Sequence, residues 1–395
     1  MRKKHIGLIL LVVILANMFI GCSKNNEVND SVGDSSIVED SDIDESETVD
    51  GDQDLDELQV GIILPTTEEP RWLQDKAQFE QILDKAGLRY EVLFSQGSSE
   101  VEKANIKRFI SKGVDVLIIC VQDDAAAADS IEEAKAAGVT VIAYDRLVTG
   151  TDAVDYYVTF DSFAVGVAQG TYIIENVGEG KNIPLYLYAG AVTDNNAYLY
   201  LKGAWSVLQP KIADKTFKIA NSSEAIALMD KQELTDDELG KIMNQITTEW
   251  KFDSAKSKAE VDLAAVGNSL KGDIAILAPN DGIARSLADV YESAKGVSSF
   301  VITGMDSEKP SVQYVIDGKQ SMTVFKDTRV LVADSVAMAV SILDGEKPVT
   351  DTVYNNGTKE VPTKQTDIVV VTRDNVKKAL IDSGYYKLSD FEGIE

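Results

Sequence analysis

Residues 115–146 read DVLIICVQDDAAAADSIEEAKAAGVTVIAYDR. Positions 115–120 form a nearly unbroken apolar run of strand length. Positions 125–137 are Ala-rich with helical period and end at Gly138. Positions 139–143 are a second short apolar run. Strand, helix and strand in this order make a βαβ unit. Strands that are apolar throughout belong to a parallel sheet covered on both faces. The second run stops at Asp145-Arg146, and in open α/β sheets ligands bind outside the carboxyl ends of the strands. A carboxylate accepts and a guanidinium donates in a fixed fork, so the two suit a ligand with several hydroxyls. An Asp145–Arg146 ion pair closing a strand end is the other reading of these two residues taken alone.

The same alternation extends both ways. Upstream, the pattern predicts strands at 59–64 and 89–94 and helices at 71–86 and 101–112. Downstream it predicts strands at 156–160, 183–188, 216–220, 273–277, 300–302, 321–325 and 367–371. Helices are expected at 163–177, 195–208, 254–270, 281–294, 310–317, 329–343 and 375–383, with a polar excursion over 221–251. The expected class is α/β, with two doubly wound Rossmann-like lobes.

Composition narrows the chemistry. The 395-residue chain carries a net charge of −27, which argues against nucleic-acid binding, since that requires basic patches to displace counterions. Past Cys22 the only cysteine is Cys120, and past His5 there is no histidine. That removes His-dependent triads, Cys₂His₂ zinc and a disulfide within the body. An enzyme built on carboxylates alone stays open. Cys120 ends an apolar run and reads as a small buried hydrophobe. There is no GxxxxGK[ST] phosphate loop and no GxGxxG after the first strand, so no nucleotide, cofactor or metal is expected.

At the N-terminus, Arg2-Lys3-Lys4 precede an apolar run over 6–20 and then Gly21-Cys22. A basic segment followed by a run too short for a comfortable membrane span is an export signal. Gly21-Cys22 resembles a bacterial lipoprotein site, cleaved before Cys22 with lipid added to its thiol. A plain secretory signal or a short anchor is the alternative. Each places the body outside the cytoplasmic membrane. Residues 22–58 are then a lipidated cysteine and an acidic, aromatic-poor tether that cannot bury enough apolar surface to order itself.

Polar and aromatic residues gather just past the strand ends in both halves. Glu69-Pro70-Arg71-Trp72 follow the first strand and Asp145-Arg146 the fourth. In the second half come Asp194-Asn195-Asn196, Pro279-Asn280-Asp281, Gly304-Met305-Asp306 and Lys326-Asp327. Asp194, Asn280 and Asp327 can each be a helix N-cap, a purely structural role. As a set they suit a sugar: carboxylate and amide acceptors opposite Arg, Lys and Asn donors, with Trp72 and either Phe252 or Trp250 as a flat partner for the C–H face.

These motifs carry a resemblance. Pro70-Arg71-Trp72, Lys112-Gly113-Val114-Asp115, Ala143-Tyr144-Asp145-Arg146-Leu147, Asp194-Asn195-Asn196-Ala197, Pro279-Asn280-Asp281-Gly282, Gly304-Met305-Asp306, Thr323-Val324-Phe325-Lys326-Asp327 and Gly384-Tyr385-Tyr386-Lys387 occur in order. They resemble the sugar-binding proteins of bacterial ATP-binding-cassette (ABC) importers, the ribose/galactose/xylose-type periplasmic-binding superfamily. Within it the likeness is to D-xylose-binding and multiple-sugar-binding (glucose/galactose) members. The resemblance implies a type I periplasmic binding protein, its lobes joined by a three-strand hinge with crossovers near Phe160-Asp161, near Phe325-Lys326 and over 355–362. The first lobe would comprise 59–160 with 327–358, the second 161–326 with 359–395. Ligand contacts carry over to Arg71, Trp72, Asp145, Arg146, Asp194, Asn195, Asn196, Phe252, Asn280, Asp306 and Lys326. Met305 stands where relatives often have Gln.

The implied function is capture of a monosaccharide, an aldopyranose such as xylose, glucose or galactose, and delivery to the membrane permease of an ABC importer. The protein would act as a lipid-anchored monomer without covalent chemistry. A sensor presenting the closed form to a membrane receptor is the alternative. A sugar-responsive repressor would need a basic helix-turn-helix where the acidic stretch stands.

Overall fold

Each strand of the core is buried because it is apolar on both faces, and helices cover both sides of each sheet. The computed structural model describes residues 58–394; the export signal, Cys22 and the acidic tether lie outside them. In chain order the first elements are β1 (Val60–Leu64), α1 (Pro70–Ala86), β2 (Tyr90–Phe94), α2 (Ser99–Ser111), β3 (Val116–Ile119), α3 (Ala128–Ala136), β4 (Thr140–Tyr144) and β5 (Tyr156–Phe160). There follow α4 (Ser162–Asn176), β6 (Ile183–Leu187), α5 (Asn195–Ala213), β7 (Phe217–Ile219), α6 (Ser223–Ala227), α7 (Asp236–Ile246), α8 (Phe252–Ala265), β8 (Gly272–Leu277), α9 (Asp281–Ser293), β9 (Val297–Ile302), α10 (Lys309–Asp317) and β10 (Thr323–Lys326). The chain closes with α11 (Thr328–Leu343), β11 (Thr352–Asn355), β12 (Glu360–Thr366) and β13 (Ile368–Val371).

The first sheet has the order β11-β12-β5-β4-β3-β1-β2 and the second β7-β6-β8-β9. All their pairings are parallel except β11 with β12. β10 pairs antiparallel with β13, and a Met305–Val324 bridge sets β10 beside the chain leaving β9. In both lobes the first strand lies between the second and third, so each sheet has a switch point beside its first strand, where α/β folds bind ligands. Side chains alternate across the sheets as strand geometry requires. Val60, Ile62 and Leu64 pack with Trp72, Phe79 and Tyr144 on one face of the first sheet, and Ile63, Leu117 and Ile119 lie on the other.

Helix α4 lies almost backbone to backbone against α5. A Cβ at Gly166 would overlap the Tyr200 carbonyl oxygen, and one at Gly203 the Phe163 carbonyl oxygen. Only glycine permits that approach. The contact fixes α5, which carries Asn196 and Tyr200, beneath the cleft.

The chain crosses between lobes three times. After β5 it enters α4, which packs on α5 and β8. After β10 it enters α11, which packs on α1 and β5. The third crossover lies at 366–368, where β12 of the first sheet gives way to β13 beside β10. The expectation of a crossover over 355–362, with a lobe boundary at 358/359, is therefore corrected. Residues 352–366 form a hairpin on the first sheet, and their polar sequence carries little of the apolar signal that marks the other strands. The supposed polar excursion over 221–251 also contains α6 and α7. Thr235 and Glu238 form a capping box, and Leu239, Ile242, Met243 and Ile246 bury one face at helical spacing.

Candidate functional site

Twelve residues meet at the facing carboxyl ends of the two sheets: Glu69, Arg71, Trp72, Asp145, Arg146, Asp194, Tyr200, Trp250, Asn280, Met305, Asp306 and Lys326. The space between them is at most about 280 Å³.

Local structure aims each group. Pro70 opens α1 with its backbone already set for a helix, so Arg71 and Trp72 project from the first turn into the cleft. Asp145 adopts φ 62°, a left-handed conformation uncommon outside glycine. Three donors on its carbonyl oxygen hold it there: Asn196 Nδ2 at 2.7 Å, Tyr157 Oη at 2.7 Å and Thr159 Oγ1 at 3.2 Å. Glu249 and Trp250 (φ 54° and 56°) and Asp306 and Ser307 (φ 95° and 50°) share this strain. Backbone strain gathers at functional sites when the surroundings over-determine it. Tyr386 supports the second of these turns by donating to the Ser307 carbonyl at 3.0 Å.

The charges interlock across the cleft. Arg71 Nη2 lies 2.6 Å from Asp145 Oδ2, and its Nη1 lies 3.6 Å from Asp306 Oδ1. Lys326 Nζ, on a side chain only 2% exposed, sits 2.9 Å from Asp306 Oδ1. Arg146 Nε reaches Asp194 Oδ2 at 3.0 Å, and Trp250 Nε1 donates to the same oxygen at 3.1 Å. Arg71 and Arg146 both stand over the Trp72 ring, 4.5 and 5.6 Å from its centroid. Burial pushes the Asp145 carboxyl up, but Arg71 and Lys326 outweigh it and hold the group below its usual range. Burial pushes Asp194 up against the pull of Arg146. It also lifts Glu69 to about 7 despite Arg146 and the Trp72 indole, which donates to Glu69 Oε1 at 3.1 Å.

Of the residues singled out from sequence, Arg71, Trp72, Asp145, Arg146, Asp194, Asn280, Asp306 and Lys326 share this one cavity. Three do not line it. Asn195 lies in a neighbouring recess, its N–H donating to Asp124 Oδ2. Asn196 is buried and occupied, Nδ2 on the Asp145 carbonyl and Oδ1 on Ser162 Oγ at 3.0 Å. Phe252 faces an outer groove and seats its ring on Gly282, while Trp250, packed on Gly190, enters the cavity. Asp145 and Arg146 do not pair with each other; each finds an opposite charge elsewhere in the cleft. The capping role and the cleft role coexist. Asp194 Oδ1 caps α5 at Asn196 N while Oδ2 holds Arg146, and Asn280 Oδ1 caps α9 at Ile283 N. Sequence reasoning missed Tyr200, whose signal is its position four residues after Asn196 on the same face of α5. It also left out Glu69, although that residue stands beside Arg71 at the strand end.

A family model described as periplasmic binding protein domain matches residues 60–347. The chain belongs to the periplasmic binding protein family. Among relatives of this binding protein, the multiple sugar-binding periplasmic protein SbpA of Azospirillum brasilense is 36% identical, with the match covering 85% of this chain and 92% of that one. A carbohydrate transporter solute binding protein from Chloroflexus aurantiacus, solved in complex with D-glucose, is 56% identical with a TM-score of 0.84, covering 86% and 99% of the two chains. An ABC transporter solute binding protein from Clostridium phytofermentans with bound β-D-glucose is 30% identical with a TM-score of 0.73, covering 84% and 99%. The two-lobed type I fold expected from the sequence is thus the fold of this periplasmic binding protein.

Proposed function

We propose that this protein captures a neutral aldopyranose between its lobes and delivers it to the permease of an ABC importer. The observation that carries the reading is the charge balance of the cavity. Arg71, Arg146 and Lys326 face Asp145, Asp194 and Asp306, three cations against three carboxylates, and burial lifts the seventh group, Glu69, to about 7, which weakens its charge. An anionic or cationic ligand would upset that balance at high cost in a buried site. A polyol with hydroxyls that donate and accept can bond both signs at once. Trp72 and Trp250 supply flat apolar walls for a pyranose ring. The sugar-bound relatives support the same ligand class.

In this reading Arg71, Trp72, Asp145, Arg146, Asp194, Asn280, Asp306 and Lys326 touch the sugar, with Tyr200 and Trp250 added. Asn196 positions Asp145. The lobes, 58–160 with 327–366 and 161–326 with 367–394, close about the three crossovers by a hinge motion, and the work is binding without catalysis. Cys22 carries the lipid that ties a monomeric body to the outer face of the cell membrane. The experiment is a thermal-shift panel of aldoses, polyols, uronates and amino acids. Ligand at a thousand times Kd stabilises the folded state by about 4 kcal/mol, so a true ligand raises Tm clearly. A rise with aldopyranoses and none with amino acids or uronates is expected; the reverse rejects the reading. Mass spectrometry of the mature chain, showing diacylglycerol on Cys22 or an unmodified thiol, decides the anchor.

A further inference from the structure

Immediately outside the cavity lies a wider groove, about 1,530 Å³ counted out to its open mouth. Glu69, Arg146 and Trp250 form walls of both spaces, so the two adjoin with only these side chains between them. Resting on the sugar-binding reading of the inner cavity, we propose that this groove is a second subsite that holds the second ring of a neutral disaccharide whose first ring occupies the inner cavity.

The groove is furnished for a polyol and not for an ion. Gln122 reaches it from the first lobe, and Thr193 and Ser254 from the second. Their side-chain amide and hydroxyls bond no other described residue. Lys251 provides no side-chain cap for α8, and the first residues of that helix, 252–254, line the same groove. Phe252 offers a ring as an apolar platform beside the Trp250 indole. The carboxylates of Glu68, Glu249 and Asp253 outnumber the cations of Arg146 and Lys251, so a phosphate or carboxylate on the second ring would be repelled. Both lobes contribute walls, so a ligand spanning the doorway would still be gripped on closure.

Calorimetric titration of the full chain tests this with D-glucose, maltose and cellobiose, in wild type and in Ser254→Trp and Gln122→Ala. Ser254→Trp fills the groove from an exposed helix position; Gln122→Ala removes a polar contact without adding bulk. The expected result is that at least one disaccharide binds within tenfold of glucose. Ser254→Trp then weakens that disaccharide tenfold or more, Gln122→Ala weakens it severalfold, and glucose affinity changes by less than threefold in both. Binding of glucose with no binding of either disaccharide overturns the second subsite alone. So does disaccharide affinity that Ser254→Trp leaves unchanged. Binding of no sugar at all overturns the reading of the inner cavity and the proposal with it.

Discussion

Arg146 Nε lies 3.0 Å from Asp194 Oδ2, and the pair joins the end of β4 in one lobe to the N-cap of α5 in the other. Both side chains are almost fully buried. The same carboxylate caps a helix, accepts from the Trp250 indole and lines the cavity. Closure of the lobes and formation of the site are therefore one event. Removing one partner of a buried pair costs about 2–5 kcal/mol, largely from stranding the other charge. Arg146→Met is expected to weaken sugar binding at least about thirtyfold. In a double-mutant cycle with Asp194→Asn, the losses should be strongly non-additive by calorimetry.

Proton linkage follows from a second contact between the lobes. Asp124 of the first lobe donates its N–H to the Thr193 carbonyl at 3.1 Å and accepts from the Asn195 N–H. Burial pushes its carboxyl well up, and the charge of Asp194 adds to this against the pull of the Asn195 N–H and Arg146. Opening the lobes rehydrates Asp124 and returns it toward the usual carboxylate range. A group whose pKa is higher in the closed form takes up a proton on closing, so affinity falls as pH rises from the open-state value through the closed-state one. Titrations near pH 6 in buffers of different ionisation enthalpy should show net proton uptake on sugar binding; proton release would be contrary.

Folding stability should have its own pH slope. Glu102, only 2% exposed, accepts from Ser95 Oγ at 3.1 Å and from the Gln122 N–H at 2.8 Å, and burial lifts it to about 7 despite both bonds. Below its unfolded value the group is protonated in both states. Between that value and about 7 the unfolded chain ionises and the folded chain does not, so stability falls by up to about 3 kcal/mol as pH rises through this window. Urea midpoints are expected to drop from pH 5 to pH 8, with a smaller drop in Glu102→Gln.

Packing at Gly166 links stability to the site. Gly166→Ala puts a methyl where the Tyr200 carbonyl stands, and overpacking of this kind costs about 1–3 kcal/mol. Relief requires α5 to shift, taking Asn196 and Tyr200 with it. The variant is expected to lower both Tm and sugar affinity, whereas a surface Gly240→Ala control should lower neither.

The parts of the fold that were legible in sequence are those with strong periodicity. The apolar strands β1, β3, β4, β6 and β8 bury both faces and announce themselves by composition. The hairpin at 352–366 does not, because TVYN and EVPTKQT lie at a polar sheet edge where burial demands little. Helix α7 hid among acidic residues although its capping box and its Leu239, Ile242, Met243, Ile246 spacing were readable. At the site, residues immediately after strands were found because topology alone brings strand ends together. Tyr200 sits mid-helix, and only the close α4–α5 packing turns it into the cleft. The alternative reading, an Asp145–Arg146 pair, fails because adjacency in sequence says nothing about direction; the left-handed turn at Asp145 sends the two side chains to different partners. Phe252 and Trp250 were separable only in three dimensions, since both follow the strained turn at Glu249.

Capture of a neutral aldopyranose by the interlobe charges is checked by calorimetric titration of wild type and Asp145→Asn with D-glucose, D-galactose and D-xylose. Saturable one-to-one binding of at least one of them by wild type is expected. Asp145→Asn should lose about a hundredfold or more in affinity, a change of about 3 kcal/mol, with circular dichroism unchanged. Silence with every aldopyranose, or equal affinity in the folded variant, would contradict it.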